Sequence, residues 1–568
     1  MTNKEVVDIL EEIALLLDLA GESPFKSRAY TNAARRIEQL DGTIAELVEQ
    51  DKVRDIQGVG EALEKKVTEL VTTGALGYHS DLRAQFPESL FDLFKIPGLG
   101  PKRIKAVYGE LGIESLDGLV QACESGALSK VKGFGPKMQE KIVDGVAFAK
   151  QHQGLHLLNE ARDQAVRLKN LLAEHPSTLR IDIAGSLRRC KEVVHDADLI
   201  ASSSDPVALM KCFVEDTEVK RVTNHGETKS SVLLQSGLSV DLRVVSDEAY
   251  PFALAHFTGS KDHNVVMRQR AKEKGLKLNE YGLFEGDASR VCTDEAALYA
   301  ALDLAFVPPE LREDMGEFDV KEVPALVELD DLAGMIHCHS TYSDGRNTIE
   351  EMALASRERE YAYLTMTDHS QSAAYAGGLV PERIEKQHAE IDRLNADLAP
   401  FRIFKGIESD IRSDGSLDYE EEILDSFDLI IASVHSKLNM SEAEATNRVI
   451  TAVENPHTRI LGHPTGRLLL ARAGYPLDYE KLFDACAANG VAIEINANCH
   501  RLDLDWRYVR RAKEKGVTLS IGPDAHGVQG LDNMIYGVGI ARKGWLEAGD
   551  VLNTLSVEAF AAWCAKRG

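Results

Sequence analysis

Two groups of residues in this chain have the types and spacing that chemistry at phosphorus needs. The first lies in Ala184-Gly-Ser-Leu-Arg-Arg-Cys-Lys-Glu-Val-Val-His-Asp-Ala-Asp-Leu-Ile-Ala201. Asp196 and Asp198 stand two apart just ahead of Leu199 and Ile200, and the strand period turns both to one face. In Leu238-Ser-Val-Asp-Leu-Arg-Val-Val245, Val240, Leu242 and Val244 form an apolar face, while Ser239, Asp241 and Arg243 share the other. A neighbouring strand would therefore set Asp241 beside the pair. Three crowded carboxylates repel one another and need cations; magnesium suits them because it leaves positions for water and phosphate oxygens. Two such ions clamp the attacking and leaving oxygens of a phosphoryl transfer. Gly185-Ser186 lets the backbone approach a triphosphate, and Arg188 and Arg189 supply charge for it. A lone Asp-x-Asp is commonly a solvated turn. With the Gly-Ser, the Arg pair and the third acid, it reads as a nucleotidyltransferase site.

The second group begins at Ala333. Apolar runs end in His337-Cys-His339, Thr367-Asp-His369, Gly406-Ile-Glu408, Ser433-Val-His435, Leu461-Gly-His463, Glu494-Ile-Asn496 and Asp524-Ala-His526. Helical segments separate them, which predicts parallel strands in a βα barrel whose carboxyl ends face one shared site. A single buried His is more often a hydrogen-bonded core residue than a ligand; so many strand ends delivering His, Asp, Glu or Asn are hard to explain by packing. In His337-Cys-His339 the strand period sends both imidazoles to one side and Cys338 into the core. Asp344 adds a loop carboxylate. Imidazole with carboxylate and no thiolate suits manganese, zinc or iron rather than magnesium alone, as two or three clustered ions.

Other stretches must position these groups. A chain of 568 residues, 44% of them hydrophobic, divides into several globular domains. No apolar run approaches a membrane span and the start is no signal peptide, so a cytoplasmic location and no membrane partner are expected. The eight cysteines contain no Cys-x-x-Cys pair and read as reduced thiols. The net charge of −26 opposes non-specific nucleic-acid binding, and both halves are acidic: residues 1–318 hold 39 Lys and Arg against 51 Asp and Glu. Any grip on DNA must be local. A repeated element supplies it: Ile56-Gln-Gly-Val-Gly60, Ile96-Pro-Gly-Leu-Gly100 and Val131-Lys-Gly-Phe-Gly135, each leading into a Lys-bearing helical segment. One Gly-x-Gly is an ordinary turn, but three in this order read as helix-hairpin-helix elements. The helix N–H groups after Gly58 and Gly60, Gly98 and Gly100, and Gly133 and Gly135 would hold DNA phosphates without reading sequence.

Beyond the acidic site come Ala255-His-Phe-Thr-Gly-Ser-Lys-Asp-His-Asn-Val-Val-Met-Arg268 and Asn279-Glu-Tyr-Gly-Leu-Phe284. With these motifs residues 1–318 resemble the family X DNA polymerases, the small repair polymerases that include polymerase beta. The resemblance implies that Asp196, Asp198 and Asp241 are the metal-binding catalytic triad of a palm, loaded with magnesium or manganese. It places Gly185, Ser186 and Arg189 at the nucleotide's phosphates, Phe257, Gly259 and Asn264 around its sugar and base, and Arg268 on the template strand. His256 stands where the family often has Tyr, which bears on ribonucleotide exclusion. Some relatives carry a Schiff-base lysine; Lys66 falls at that position with Lys26 and Tyr30 near, although a solvated helix face with Lys65 is the plainer reading.

Residues 333–568 resemble the PHP (polymerase and histidinol phosphatase) domain. That resemblance implies His337, His339, Asp344, His369, Glu408, His435, His463, Asp524 and His526 as ligands of two or three manganese or zinc ions, or iron, with Glu408 bridging; Asp344 stands where some relatives have His. Arg501 is a candidate for the substrate phosphate.

The expected fold is multidomain α/β and α+β. It comprises helical helix-hairpin-helix regions at 1–85 and 86–150 (the latter fingers-type), a palm at 151–247, a thumb at 248–318, a linker at 319–332 and a distorted (βα)7 barrel at 333–568. The expected function is a monomeric polymerase filling short gaps in primed DNA from deoxynucleoside triphosphates, with a 3′–5′ exonuclease in the barrel. The alternatives are a nucleotidyltransferase fused to a small-molecule phosphomonoesterase, against which the hairpins argue, and a non-catalytic DNA-end scaffold.

Overall fold

The computed structural model describes residues 1, 3–38, 40, 42–96 and 99–566. It divides into two compact units, Met1–Gln153 and Gly154–Gly568.

The first unit is helical. In the helix Asn3–Ala20, Val6, Leu10, Ile13, Leu16 and Leu17 recur every three or four residues and are buried. They pack on Tyr30, Ala33, Ala34 and Ile37 of the helix Pro24–Glu38. A second core gathers Leu90, Leu93, Ile96, Leu99, Ile104, Val107, Leu119, Phe134 and Ile142. Gly60, Gly100 and Gly135 are the N-caps of the helices Glu61–Thr73, Pro101–Leu111 and Pro136–Gln151. Gly58 and Gly133 take φ of +91° and +96°, a left-handed turn that an L side chain resists.

The second unit opens on a five-stranded sheet ordered Thr178–Ile183, Asp196–Ser203, Ser239–Val245, Lys229–Leu234, Val219–His225. Asp196–Ser203 and Ser239–Val245 run parallel, and the remaining pairs are antiparallel. The helices Tyr250–Thr258 and Lys261–Glu273 and a small antiparallel sheet follow. From Gly334 a parallel sheet of seven strands runs in chain order, and a bridge from Cys338 to Ala525 brings its first strand to its last. This is the βα barrel expected. Its strands Gly334–Cys338, Leu429–Ser433 and Ala492–Asn496 are buried along their whole length, as parallel strands covered on both faces must be. Apolar residues fill most of them, and the polar ones gather toward their carboxyl halves. One continuous apolar core joins palm residues such as Leu199 and Leu242 to barrel residues such as Ile493 and Val538. The eight cysteines are unpaired. Among the described residues no helix is long and apolar enough to cross a membrane.

The stretch read as a linker differs from expectation: it is packed down. Val327 is fully buried, its N–H donates to the Leu546 carbonyl at 2.9 Å, and Leu326 bridges Glu547. Upstream, the buried Glu317 accepts from the N–H groups of Asp314 and Met315, both at 2.7 Å. Acidity without apolar period suggested a linker; main-chain hydrogen bonding and the burial of Leu326 and Val327 fasten it.

Candidate active sites

The register of the palm sheet sets Asp198 directly opposite Asp241, with Asp196 two residues back on the same face. Burial, then the charges of Asp196 and Asp241, raise the Asp198 carboxyl to about 6. Lys229 Nζ relieves part of this repulsion at 2.6 Å from Asp241. Gly185, at φ +64°, sits so close that a Cβ there would collide with Asp198 Oδ2. Ser186 follows it in the short turn Gly185–Arg188. The two arginines expected to supply charge for a triphosphate have protein partners of their own. Arg188 bonds Thr258 Oγ1 at 2.7 Å and Glu295 at 2.6 Å, while Arg189 Nε bonds Glu313 at 3.1 Å and its Nη1 donates to the Thr258 carbonyl. Glu295 and Glu313 are secluded carboxylates, and each needs a cation.

Arg189 thereby lies against Gly259: a Cβ on that glycine would stand 3.1 Å from Nη1. The Phe257 ring carries the Arg243 guanidinium 4.2 Å from its centroid. His256, Asn264 and Arg268 line one cavity, and Asn264 donates to the His256 carbonyl at 2.7 Å.

In the barrel all nine expected ligands converge. Ligand atoms of His339, Asp344, His369 and His526, of His337, His339 and Asp524, and of His369, Glu408 and His435 lie in groups each within 4.8 Å. His463 Nε2 reaches Glu408 at 2.9 Å. Glu408 thus stands among five imidazoles, those of His337, His339, His369, His435 and His463. Burial would push its carboxyl up, yet His435, His337 and His369 hold it well below the usual range. Burial, with His526 and His369 beside it, drives His339 down to about 3. The Nε2 of His337, both ring nitrogens of His339 and Oε2 of Glu408 are buried without a hydrogen bond. Unpaired donor atoms of both kinds aimed at one another fit divalent cations, the arrangement that satisfies them together. Arg501 Nε stands 3.4 Å from Asp524.

Sequence reasoning missed the groups that orient these imidazoles. Glu494 faces His337 Nδ1 at 2.5 Å and accepts from the His463 N–H at 2.7 Å and from Asn496 at 3.2 Å. Asp410 faces His435 Nδ1 at 3.0 Å. Both sit two residues from a strand-end position already noted, Asn496 and Glu408, so the strand period alone could have found them. Cys338 is buried on the opposite side, as expected.

In the first unit, none of the helices after Gly60, Gly100 and Gly135 has a side-chain cap, and nothing lies within 4 Å of a Cβ built on these glycines. Gly98 lies outside the described residues. Lys66 donates to Tyr30 Oη and stands 3.4 Å from the Tyr78 ring centroid. Burial and then Lys26 lower its pKa.

A palm with paired acids, a thumb and a histidine-rich barrel define a metal-dependent enzyme class that makes and breaks bonds at phosphorus. Family models match in the same order: "Helix-hairpin-helix domain" over 1–76, "SAM-like Helix-hairpin-helix tandem" over 90–147, "DNA polymerase beta thumb" over 253–313 and "PHP domain" over 336–498. The DNA polymerase/3′-5′ exonuclease PolX of Bacillus subtilis (strain 168) is 40% identical over 568 residues, covering 99% of each chain. A probable phosphatase of Syntrophotalea carbinolica is 34% identical over 166 residues, 28% of this chain and 64% of its own. A solved Leishmania infantum polymerase beta ternary gap complex is 21% identical, covering 42% of this chain and 96% of its own, with a TM-score of 0.26. The chain belongs to the PolX family of family X DNA polymerases that carry a PHP domain.

Proposed function

We propose that the chain is a DNA-directed DNA polymerase that fills short gaps during repair, and that its barrel is a 3′–5′ exonuclease acting on the same primer ends. The observation that carries this is the pairing of two cation-binding clusters in one chain, the Asp198–Asp241 register and the Glu408-centred imidazoles, alongside full-length similarity to a relative named for both activities. Asp196, Asp198 and Asp241 hold magnesium or manganese; Ser186 and Arg189 hold the triphosphate, and Phe257, Gly259 and Asn264 shape the pocket around its sugar. Arg268 meets the template, and the uncapped helix N-termini grip backbone phosphates. In the barrel His337, His339, Asp344, His369, Glu408, His435, His463, Asp524 and His526 hold two or three manganese or zinc ions. Divalent cations bound by these residues would supply a water activated for attack on phosphorus and a counter-charge for the phosphate oxygens. Glu494 and Asp410 keep the imidazoles oriented, and Arg501 binds the departing nucleotide's phosphate.

Primer growth against shortening on a gapped duplex with manganese, with and without deoxynucleotides, tests the assignment. Asp198→Ala with Asp241→Ala should abolish growth and spare shortening; His337→Ala with His435→Ala should do the reverse. Loss of both activities from either pair refutes two independent sites.

One observation favours a further activity. The lowered pKa and secluded amine of Lys66 fit a Schiff-base nucleophile toward an abasic sugar. Borohydride should trap the wild type on abasic DNA and fail to trap Lys66→Ala; equal trapping excludes that role.

A further inference from the structure

Lys543 ends the barrel helix Met534–Lys543, and its side chain is wholly removed from solvent. Its Nζ donates to the Arg189 carbonyl at 2.9 Å, the Glu310 carbonyl at 3.1 Å and the Glu313 carboxylate at 2.6 Å. An ammonium has three N–H groups, and here three oxygens take them; the Trp506 ring, 4.4 Å away, covers it further. Every one of those oxygens belongs to the polymerase half, and Glu313 is the same carboxylate that holds Arg189 Nε. One barrel lysine therefore fixes Arg189 twice, through its main chain and through its side chain. The other end of the same loop is tied as well: Glu192 accepts from Trp506 Nε1 at 3.0 Å and from Arg507 at 2.9 Å. Between these ties the barrel helix lies close, since a Cβ on Gly539 would stand 3.0 Å from Cys190 Sγ. The loop so clamped joins Gly185-Ser186 to the metal-binding Asp196.

We propose that Lys543 is a positioning residue of the nucleotide-addition site: from the barrel it sets Arg189 in place for the phosphates of the incoming nucleoside triphosphate. The proposal rests on the assignment of Arg189 to those phosphates. It makes nucleotide affinity in one half depend on a side chain of the other, without Lys543 touching substrate.

Full-length Lys543→Met, Glu313→Gln, their double variant and Arg189→Ala are compared in gap filling across deoxynucleotide concentration, with primer shortening measured on the same preparations. Lys543→Met removes all three hydrogen bonds of the ammonium, and the resulting loosening of Arg189 predicts a rise in KM of about tenfold or more with kcat held within about threefold. Glu313→Gln should raise KM similarly, and the double variant should be no worse than the poorer single, since all act through one link. Retained primer shortening shows that the chain is folded; where Lys543→Met does not fold, Glu313→Gln, which keeps an oxygen facing the lysine, decides the question by the same split. An unchanged KM in the folded variants, or effects that add in the double variant, overturns the proposal. If Arg189→Ala raises KM and Lys543→Met does not, the positioning role alone falls; if Arg189→Ala leaves KM unchanged, the phosphate assignment beneath it falls.

Discussion

Glu494 is the most exposing place to test the barrel reading, because it is not itself among the nine candidate ligands. It receives three hydrogen bonds: from His337 Nδ1 at 2.5 Å on Oε1, and from the His463 N–H at 2.7 Å and Asn496 Nδ2 at 3.2 Å on Oε2. All three partners are then donors. Glu494→Gln keeps the volume, which is tight here because a Cβ on Gly522 would already meet Oε1. It replaces one acceptor with an NH2, so one donor must face another. If the amide nitrogen faces His337, the imidazole must take the other tautomer or turn; if it faces His463, a buried main-chain N–H is orphaned. Loss of such a supporting bond typically costs about 10–100-fold in metal affinity, equivalent to about 1.4–2.8 kcal/mol. A manganese titration of primer shortening should move rightward by that factor and approach wild-type rate at saturation, while gap filling by the same preparation stays unchanged. A wild-type manganese dependence in Glu494→Gln would refute the reasoning that this carboxylate sets the tautomer of a ligand.

Three further outcomes follow from the geometry. Gly185→Ala should lose nucleotide addition while keeping primer shortening, because a left-handed φ costs an alanine about 1–2 kcal/mol and the new methyl displaces Asp198; gap filling at wild-type rate contradicts it. Burial works against the Glu317 charge, but the hydrogen bonds from His263, from its own main-chain N–H and from that of Asp314 hold the carboxyl below its ordinary 4.5. Its stabilisation is therefore complete above that value and lost as pH falls through the lower folded one, so the melting-temperature gap between wild type and Glu317→Gln should shrink on acidification and not on alkalinisation. A strong general chelator should stop both activities and manganese should restore both; activity of either kind that survives exhaustive chelation is incompatible with the sites described.

Much of this was legible in the chain because strand periodicity and motif spacing carry chemistry directly. Asp196 and Asp198 two apart, and Asp241 on the polar face of an alternating strand, needed only one pairing to meet, and the parallel register of the two strands supplies it. The barrel ligands were legible for a different reason: in strands buried on both faces, a polar residue at the carboxyl end has no bland explanation when it recurs. What sequence could not give was the side-chain company of charged residues. Arg188 and Arg189 read as charge for a triphosphate, but their partners Glu295 and Glu313 lie more than a hundred residues away, in stretches with no pattern of their own. The packing of the 319–332 stretch was hidden on the same ground, since acidity is visible in sequence and the main-chain bonds that fasten Val327 are not.

The two clusters also explain how so acidic a chain can work on a polyanion. The palm offers carboxylate oxygens alone, a hard set suited to ions that keep water and phosphate in their coordination sphere. The barrel mixes imidazole nitrogen with Glu408, Asp344 and Asp524, a softer set that holds its ions through the protein. In both, negative side chains become the foundation of positive sites once loaded, so part of the −26 formal charge belongs to residues that face cations rather than solvent. Repulsion of DNA by the remaining surface is then useful: it weakens binding everywhere that helix N-termini or metal ions do not offset it.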